Sequence, residues 1–345
     1  MGVALWYITG TVVGFGSERT GRMWPFNFIG GWASLSGPYE VVGTYNVGTS
    51  GVSSVEVDWV AGEIVLRPHD GNDIQITEFA QRELQEHERL SYGISDGTLS
   101  IWFAEHNIVS TKRMPLKRLE VLIPRGLSGS LDRLSVDSTS GAIDIDGFVA
   151  DSLSADSTSG AVSVSNTTAR ELELDSTSGA VAVTSVHAEE IEIDTSSGSI
   201  RVSDTTALNI DLDTTSGSIN VSGVFKNVHL NSTSGSVILD SATPISALDA
   251  GSTSGSLKLS GSFDSVEVST VSGSISFRSS TVPSSLSASS TSGSVTIAVP
   301  SEGALAVEHS SVSGRFSSEI PVVMQGSDAR FEISTTSGNT RIIEY

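Results

Sequence analysis

The sequence predicts an all-β protein: a single-stranded β-solenoid of about eleven regular coils behind a degenerate N-terminal cap. A Ser-Gly pair recurs through the chain, apolar residues keep fixed positions around it, and 34 glycines fit a chain with many turns. The pair recurs at spacings of 19, 19, 19, 19, 18, 20, 18, 20, 21 and 24 residues. A near-constant period is typical of repeat arrays, in which each unit buries its apolar face against its neighbours. Its glycines are Gly141, Gly160, Gly179, Gly198, Gly217, Gly235, Gly255, Gly273, Gly293, Gly314 and Gly338.

Each repeat contains two short strands on either side of a corner. Apolar residues recur seven and five positions before the glycine and two and four positions after it, as in Leu172, Leu174, Val181 and Val183 around Gly179. Such columns are expected when parallel strands of successive coils stack. At the Asp-Ser-Thr-Ser-Gly corner we expect glycine to adopt a positive φ and hydroxyls to bond the turn backbone. A series of antiparallel hairpins is the alternative geometry.

The chain before the array divides into three further segments. Residues 1–17 contain an apolar run too short to span a bilayer, which is interpreted as the end of a membrane helix, with a short buried segment as the alternative. Residues 18–51 are expected to be a linker and aromatic-rich flank. Residues 52–127 carry irregular strand patterns and are expected to cap the array, which occupies residues 128–345. The charged stretch 81–90 is interpreted as an exposed hairpin arm rather than a helix.

Composition narrows the classes of function. Cysteine is absent, which excludes a disulfide framework and thiolate chemistry. The net charge of -21 argues against nucleic acid as a partner and favours cations or basic partners. The charge is uneven, because residues 132–213 carry 16 acidic residues and three arginines.

Several of these features together resemble a known family. They are the Val-Glu-Val-Asp-Trp-Val-Ala-Gly-Glu-Ile opening at 55–64, the Leu-Glu-Val-Leu-Ile-Pro strand at 119–124, the apolar N-terminal end and the Ser-Gly ladder. The combination resembles the bacterial β-strand-repeat family called "putative adhesin" or toastrack domains, over about residues 50–345. The resemblance implies a right-handed β-helix on the outside of bacteria, often behind a membrane helix. It implies no catalytic residues.

The strongest candidate site is an acidic patch on the first strand of three successive repeats. Eight, six and four residues before the glycine, outward positions hold carboxylates that stacking would bring about 5 Å apart. The patch is a candidate site for calcium, which accepts several carboxylate oxygens, or for a basic partner. We favour the plainer interpretation of a solvated face that keeps the solenoid soluble. The patch comprises Glu171, Glu173, Asp175, Glu190, Glu192, Asp194, Asp211 and Asp213, with Asn209 as the ninth position.

Other columns receive plainer interpretations. Asp137 and Asp156 are interpreted as turn residues that bond the backbone N–H two positions on. The histidines show no metal-ligand spacing, and neither a Gly-x-Ser-x-Gly nucleophile motif nor a phosphate-binding glycine loop is present. The short coils leave no room for the long loops of a β-helical polysaccharide lyase. An enzyme is therefore not expected.

The sequence accordingly predicts a non-catalytic binding, adhesion or envelope-structural module at the extracellular face of a bacterial membrane. No cofactor is expected apart from calcium. The expected partners are cell-envelope polymers, cationic peptides or other surface proteins, with membrane contact only through the N-terminal segment. A filament-forming β-helical scaffold and a polysaccharide-active enzyme are the alternatives.

Overall fold

Nearly all described strands belong to one continuous sheet of 26 strands, which winds along the chain as a solenoid. This computed structural model describes residues 38–104, 115–301, 303–324 and 329–345, together with the backbone of residues 5–8 and 11–14. The predicted all-β solenoid is confirmed, because successive coils pair in parallel and like residues face like. The alternative of antiparallel hairpins is therefore excluded for the array.

The described residues of the N-terminal part contain nine strands, a 3₁₀ turn and a one-turn helix. The strands are β1 (Leu5–Ile8), β2 (Thr11–Gly14), β3 (Glu40–Gly48), β4 (Ser54–Trp59), β5 (Ile64–His69), β6 (Asp73–Ala80), β7 (Ser91–Ser95), β8 (Thr98–Trp102) and β9 (Lys117–Pro124). The 3₁₀ turn is Glu86–Glu88 and the helix is α1 (Arg125–Ser128). Within the described residues, helices are too short to cross a bilayer.

The array follows with nineteen strands in the part of the chain that the structure describes. They are β10 (Leu131–Ser138), β11 (Ile143–Asp146), β12 (Val149–Ser157), β13 (Val162–Ser165), β14 (Thr168–Ser176), β15 (Val181–Thr184), β16 (His187–Thr195), β17 (Ile200–Thr214), β18 (Ile219–Ser232), β19 (Val237–Ser252), β20 (Leu257–Thr270), β21 (Ile275–Ser279), β22 (Ser285–Ser290), β23 (Val295–Val299), β24 (Leu305–Ser311), β25 (Phe316–Ser318), β26 (Val322–Val323), β27 (Arg330–Thr335) and β28 (Thr340–Glu344).

The core consists of columns of aliphatic side chains. Leu172 stacks between Leu153 and Ile191, and such residues are 0–1% exposed. A further inward column, ten residues before the glycine, was not predicted. This column holds small side chains such as Ala169 in several early coils and large side chains such as Phe225 in later coils. Alanine gives a weak apolar pattern, so this side of the coil was not recognised in the sequence.

The corner glycines are needed for close approach between coils rather than for a positive φ. A Cβ on Gly179 would lie 1.8 Å from the carbonyl oxygen of Gly160, and the same contact recurs along the array. The positive φ expected at this corner occurs at Gly62 but at none of the Ser-Gly glycines of the described coils. The left-handed residues lie instead at the next corner, where Asn166 has a φ of 49°.

The last coils do not stack in chain order. Phe331 of β27 pairs with Leu286 of β22 on one side and with Val307 of β24 on the other. The glycine ladder therefore runs from Gly293 to Gly338 and then to Gly314. The C-terminal coil is inserted beneath the coil that precedes it in sequence, which becomes the outermost one.

The N-terminal end is closed in a comparable way. The coil of β4 and β5 lies directly against β10 and β11, while β8 and β9 pair with its other edge. The described strands β8 and β9 thus lie at the end of the stack, beyond β4 and β5. The predicted cap over residues 52–127 stays a prediction.

A buried lysine holds this cap together. Lys117 is 0% exposed, and its Nζ donates to Glu78 Oε1 at 2.7 Å, to the Glu88 carbonyl at 2.8 Å and to the Phe103 carbonyl. Nζ also lies 3.9 Å from the centroid of the Phe103 ring. Burial lowers the pKa of Lys117 to about 8, while Glu78 opposes that shift. The ammonium group thereby donates hydrogen bonds to two main-chain carbonyls that would otherwise need a neighbouring strand as partner.

Three expectations about the N-terminal part need correction. Residues 5–8 and 11–14 form the antiparallel strands β1 and β2 instead of a helix, in keeping with their β-branched and aromatic composition. The segment 18–51 is not wholly a linker, because β3 pairs with β6 in the main sheet, while residues 15–37 lie outside the described residues. Residues 81–90 contain a 3₁₀ turn rather than a hairpin arm.

We expect Gly179→Ala to destabilise the protein by about 3 kcal/mol or more, because the added methyl group cannot fit against the Gly160 carbonyl. Gly48→Ala is the control, since a Cβ there has no neighbour within 4 Å. Urea unfolding monitored by circular dichroism measures both variants. Equal stability of the two would show that the corners can separate without cost.

The order of the last coils can be tested by engineered disulfides, since the chain contains no cysteine. Ser287 and Glu332 are direct neighbours on paired strands, whereas Glu308 lies one strand further out. We therefore expect oxidation to link the double variant Ser287→Cys/Glu332→Cys and to leave Ser287→Cys/Glu308→Cys reduced, because bridged Cα atoms lie within about 7 Å. Mass spectrometry of tryptic peptides distinguishes the two. A link only in the second variant would restore the sequential order.

A groove along the solenoid as candidate functional site

A groove of about 1800 Å³ runs along the solenoid beside the glycine corners. The coils from Gly141 to Gly293 contribute the residues four, three and two positions before their glycines, and the groove extends from Trp102 in the N-terminal part to Thr336 in the C-terminal coil. The parallel register makes it continuous, because equivalent residues lie one above another. Its walls are carboxylate and hydroxyl side chains.

Serine and threonine hydroxyls form the floor and fix its shape. Ser176 Oγ accepts a hydrogen bond from the Gly179 N–H at 2.8 Å, and this bond recurs at successive corners. In later coils the same hydroxyl also donates to the glycine carbonyl of the preceding coil, as Ser232 does to Gly217 at 3.0 Å. These side chains are buried, so the floor is rigid and its polar atoms are paired.

The hydroxyls, rather than the aspartates, serve the turn. The interpretation of Asp137 and Asp156 as turn residues is wrong, because the N–H two positions after Asp137 donates to the carbonyl of Trp59 in the adjacent coil. The corresponding N–H after Asp156 likewise donates to the Ser138 carbonyl. Both carboxyl groups instead line the groove.

The aspartates form one column along the acidic half of the groove. It contains Asp58, Asp137, Asp156, Asp175, Asp194 and Asp213, and continues as Asn231, Gly251, Ser269 and Ser289. Thr139, Thr158, Thr177, Ser196, Thr215, Thr233 and Thr253 form the facing column. The groove therefore changes along its length from acidic to neutral, while its hydroxyl wall persists.

Burial and, after it, neighbouring carboxylates raise the pKa values of several aspartates in this column. Burial raises the pKa of Asp156 to about 6, and the hydrogen bond and charge of Asp137 add to the rise. Burial also raises the pKa of Asp175 to about 6, followed by the charge of Asp156 and a hydrogen bond with it. The pKa of Asp194 is raised by burial first and by Asp213 and Asp175 next. Part of the column thus carries protons in mildly acidic solution.

The predicted acidic patch is brought together in register. Glu171 stacks on Glu190, Glu173 on Glu192, and Asp175 on Asp194. The third coil adds Asp211 beside Glu192 and Asp213 beside Asp194. The pKa of Glu192 is raised by burial and then by Asp194, and that of Asp211 by burial first.

The patch divides between two surfaces. Asp175, Asp194 and Asp213 line the groove, whereas the glutamates and Asp211 lie on the neighbouring outward face of the sheet. Glu190 and Asp211 border a shallower depression of about 610 Å³ on that face. Glu171 is paired with Arg170, which also contacts Asp151. The calcium expectation remains a prediction.

Sequence reasoning missed His229 and Asp249, which continue the column of Glu192 and Asp211. Ligand atoms of Asp211, Asp213 and His229 lie within 4.8 Å of one another. Alignment on the glycine places His229 six residues before Gly235. The same alignment on the glycine places it in the column of Glu192 and Asp211, a signal that spacing along the sequence alone does not show.

Fold and groove together define an acidic β-solenoid built from short coils. Residues 52–269 and 223–343 match the profile of the family described as Toastrack DUF4097. The chain belongs to this family. No curated protein matches the chain.

Solved structures with a similar fold share little sequence with the chain. A "putative lipid binding protein" from Parabacteroides distasonis is 14% identical, with a TM-score of 0.38, over 88% of this chain and 97% of that one. A "putative adhesin" from the same organism is 11% identical, with a TM-score of 0.37, over 89% and 98%. A "putative adhesin" from Bacteroides fragilis is 11% identical, with a TM-score of 0.31, over 89% and 97%.

We expect Asp156→Asn to stabilise the protein at pH 7.5 by about 1 kcal/mol after allowance for solvent screening, and to change little at pH 4.5. Because the folded-state pKa of Asp156 is raised to about 6, the folded protein binds more protons than the unfolded chain between about pH 4 and 6. The stability that protonated Asp156 contributes is therefore lost as the pH rises from about 4 to about 6. Asparagine stays neutral, so the variant does not lose stability in this range.

Urea midpoints of the variant and the parent protein at the two pH values measure the effect. Asp264→Asn is the control, since it removes one exposed acidic group outside the groove. A variant that is destabilised at pH 7.5 would contradict the crowding described for this column.

Proposed function

We propose that the chain is a non-catalytic binding module of the bacterial cell surface whose groove holds an extended basic polypeptide. The observation that carries the proposal is the continuous groove beside the glycine corners, with its aspartate column on one wall and its hydroxyl column on the other. Membership of the toastrack family supports the envelope setting, as the resemblance implied. The binding role rests on the groove itself.

The charge pattern supports a basic ligand. Aspartates of successive coils repeat at the coil spacing of about 4.8 Å, so the ligand meets a line of negative charge rather than one carboxylate. A line of like charges in a partly buried groove is relieved by opposite charge, because neutralisation removes repulsion between neighbours. Lysine and arginine side chains are long enough to reach the column from an extended backbone.

The hydroxyl wall supports an extended polypeptide. Exposed threonines such as Thr177 and Thr215 can donate to peptide carbonyls and accept from peptide N–H groups. Aromatic side chains, which favour sugar stacking, lie at the N-terminal end of the groove as Trp59 and Trp102. The lining of the central groove is hydroxyl and carboxylate, which suits a peptide better than a glycan.

Binding of a fluorescent deca-lysine peptide to the full chain tests this function by anisotropy. We expect Asp156→Asn/Asp175→Asn/Asp194→Asn to weaken binding about tenfold or more, since each exposed ion pair contributes about 0.5 kcal/mol. Asp204→Asn/Asp240→Asn/Asp264→Asn is the matched control, because it removes the same charge outside the groove. The control is expected to stay within about twofold of the parent protein, since only long-range attraction is lost.

If the two triple variants lost the same affinity for deca-lysine, the peptide would be attracted by net charge alone, and the proposed binding site in the groove would be refuted. If a soluble amino-sugar polymer bound more tightly than deca-lysine, the ligand class would be a glycan and not a peptide. Binding should also weaken as pH falls through about 6, since Asp156 and Asp175 then gain protons. Protease treatment of intact cells tests the location, and a chain cut only after lysis would contradict surface exposure.

A further inference from the structure

His229 interrupts a column of carboxylates on the outward face of the first strand. Its Cα partner in the preceding coil is Asp211 and its partner in the following coil is Asp249. The column is otherwise acidic in this region, with Glu192 before it and Glu267 after it. An imidazole is therefore held between carboxylates by the register of the coils.

Hydrogen bonds on both sides set the tautomer of this imidazole. Nδ1 lies 3.1 Å from Asp249 Oδ2, and Nε2 lies 2.7 Å from Asn231 Nδ2. An amide nitrogen only donates, so Nε2 is the accepting nitrogen and Nδ1 carries the hydrogen that is donated to Asp249. Donation to Asp249 orients the ring, as a carboxylate orients metal-binding histidines, and a metal ion at Nε2 would take the place of the Asn231 N–H.

His229 belongs to a convergent set of possible ligand residues. Asp211 and Asp213 project from the same strand on either side of the buried Leu212, and each offers a carboxylate oxygen. With His229 these ligand atoms lie within 4.8 Å of one another. Asn231 is the register neighbour of Asp213, so its amide group borders the same space.

We propose that Asp211, Asp213 and His229 bind a divalent transition-metal ion of the zinc class. One imidazole nitrogen with two carboxylate oxygens is a ligand set that zinc accepts, and water completes four-coordination. Asp249 is the positioning residue that holds the imidazole. The ion also offsets the repulsion between Asp211 and Asp213.

The choice of metal distinguishes this site from the acidic patch beside it. Calcium prefers six to eight oxygen ligands and gains little from an imidazole, so it would favour the glutamate-rich coils. Zinc prefers nitrogen and tolerates a small coordination number. The inference is independent of the proposed peptide groove, because the ligand set includes Asp211 and His229 on the neighbouring face.

Titration of the EDTA-treated full chain with zinc chloride tests the proposal by calorimetry and by thermal melting. We expect one zinc ion per chain with a Kd below about 100 μM and a raised Tm, because the ion binds only the folded site. Calcium at the same concentration should not displace zinc. Cobalt(II) should give visible absorption bands from a nitrogen-containing site of low coordination number.

Variants locate the ion. His229→Ala should weaken zinc binding at least about tenfold, and Asp249→Asn should weaken it about tenfold through loss of orientation. His187→Ala is the control, since His187 is an exposed histidine on β16 away from these residues. Circular dichroism should show all three variants folded, because the altered side chains point outward.

Absence of zinc binding up to about 1 mM would overturn the proposal, since such weak affinity is that of scattered surface carboxylates. Equal zinc affinity in His229→Ala and the parent protein would also overturn it. Retained affinity in Asp249→Asn with loss in His229→Ala would keep the metal site and remove the positioning role. Neither result alters the peptide-binding experiment, which uses different residues.

Discussion

The close contact between glycines of successive coils is the constraint on which the rest of the structure depends. Each corner glycine approaches the carbonyl of the one before it so closely that a Cβ would lie within about 2 Å of that oxygen. A serine or threonine hydroxyl three residues earlier binds the glycine N–H and, in the later coils, the preceding glycine carbonyl as well. These contacts set the distance between coils at one edge of every turn. Strand pairing then carries the same register across the remaining residues of the coil.

A fixed register determines what kind of surface the solenoid can present. Each residue is neighboured by its equivalents in adjacent coils, so a chemical choice made in one repeat is multiplied along the axis. Aliphatic residues gain from this, because every column becomes a continuous core. Stacked carboxylates are destabilised in their charged form, and burial together with neighbouring aspartates raises the pKa values of Asp156 and Asp175. Side chains of the same chemical type therefore form lines parallel to the solenoid axis, and the groove follows such lines.

Much of this was predictable from the period, because the aliphatic columns are written in the sequence at fixed distances from the glycine. The inward column of Ala169 and its equivalents escaped, since alanine does not mark a buried side. The role of the glycine was misjudged, because positive φ and close approach both select glycine and only coordinates separate them. The groove was missed because one of its walls, the aspartate column, was interpreted as turn residues. The membrane-helix interpretation failed on residues whose β-branched and aromatic side chains, such as Ile8 and Val12, favour strands.

The order of the last coils cannot be predicted from the repeat pattern alone. A residue that departs from the pattern indicates this order. Gly314 and Gly338 carry nearly the same columns, so local pattern does not say which coil lies outside. Yet the inward position that holds Ile333 in one coil holds His309 in the other, where it is half-buried against Phe316 and Thr340. Burial of a polar ring is costly between two coils and tolerable at an end with one open face. At the opposite end Lys117 pairs carbonyls within the cap. Polar residues in inward positions therefore mark both ends of this solenoid, and the lateral columns of equivalent residues run between them.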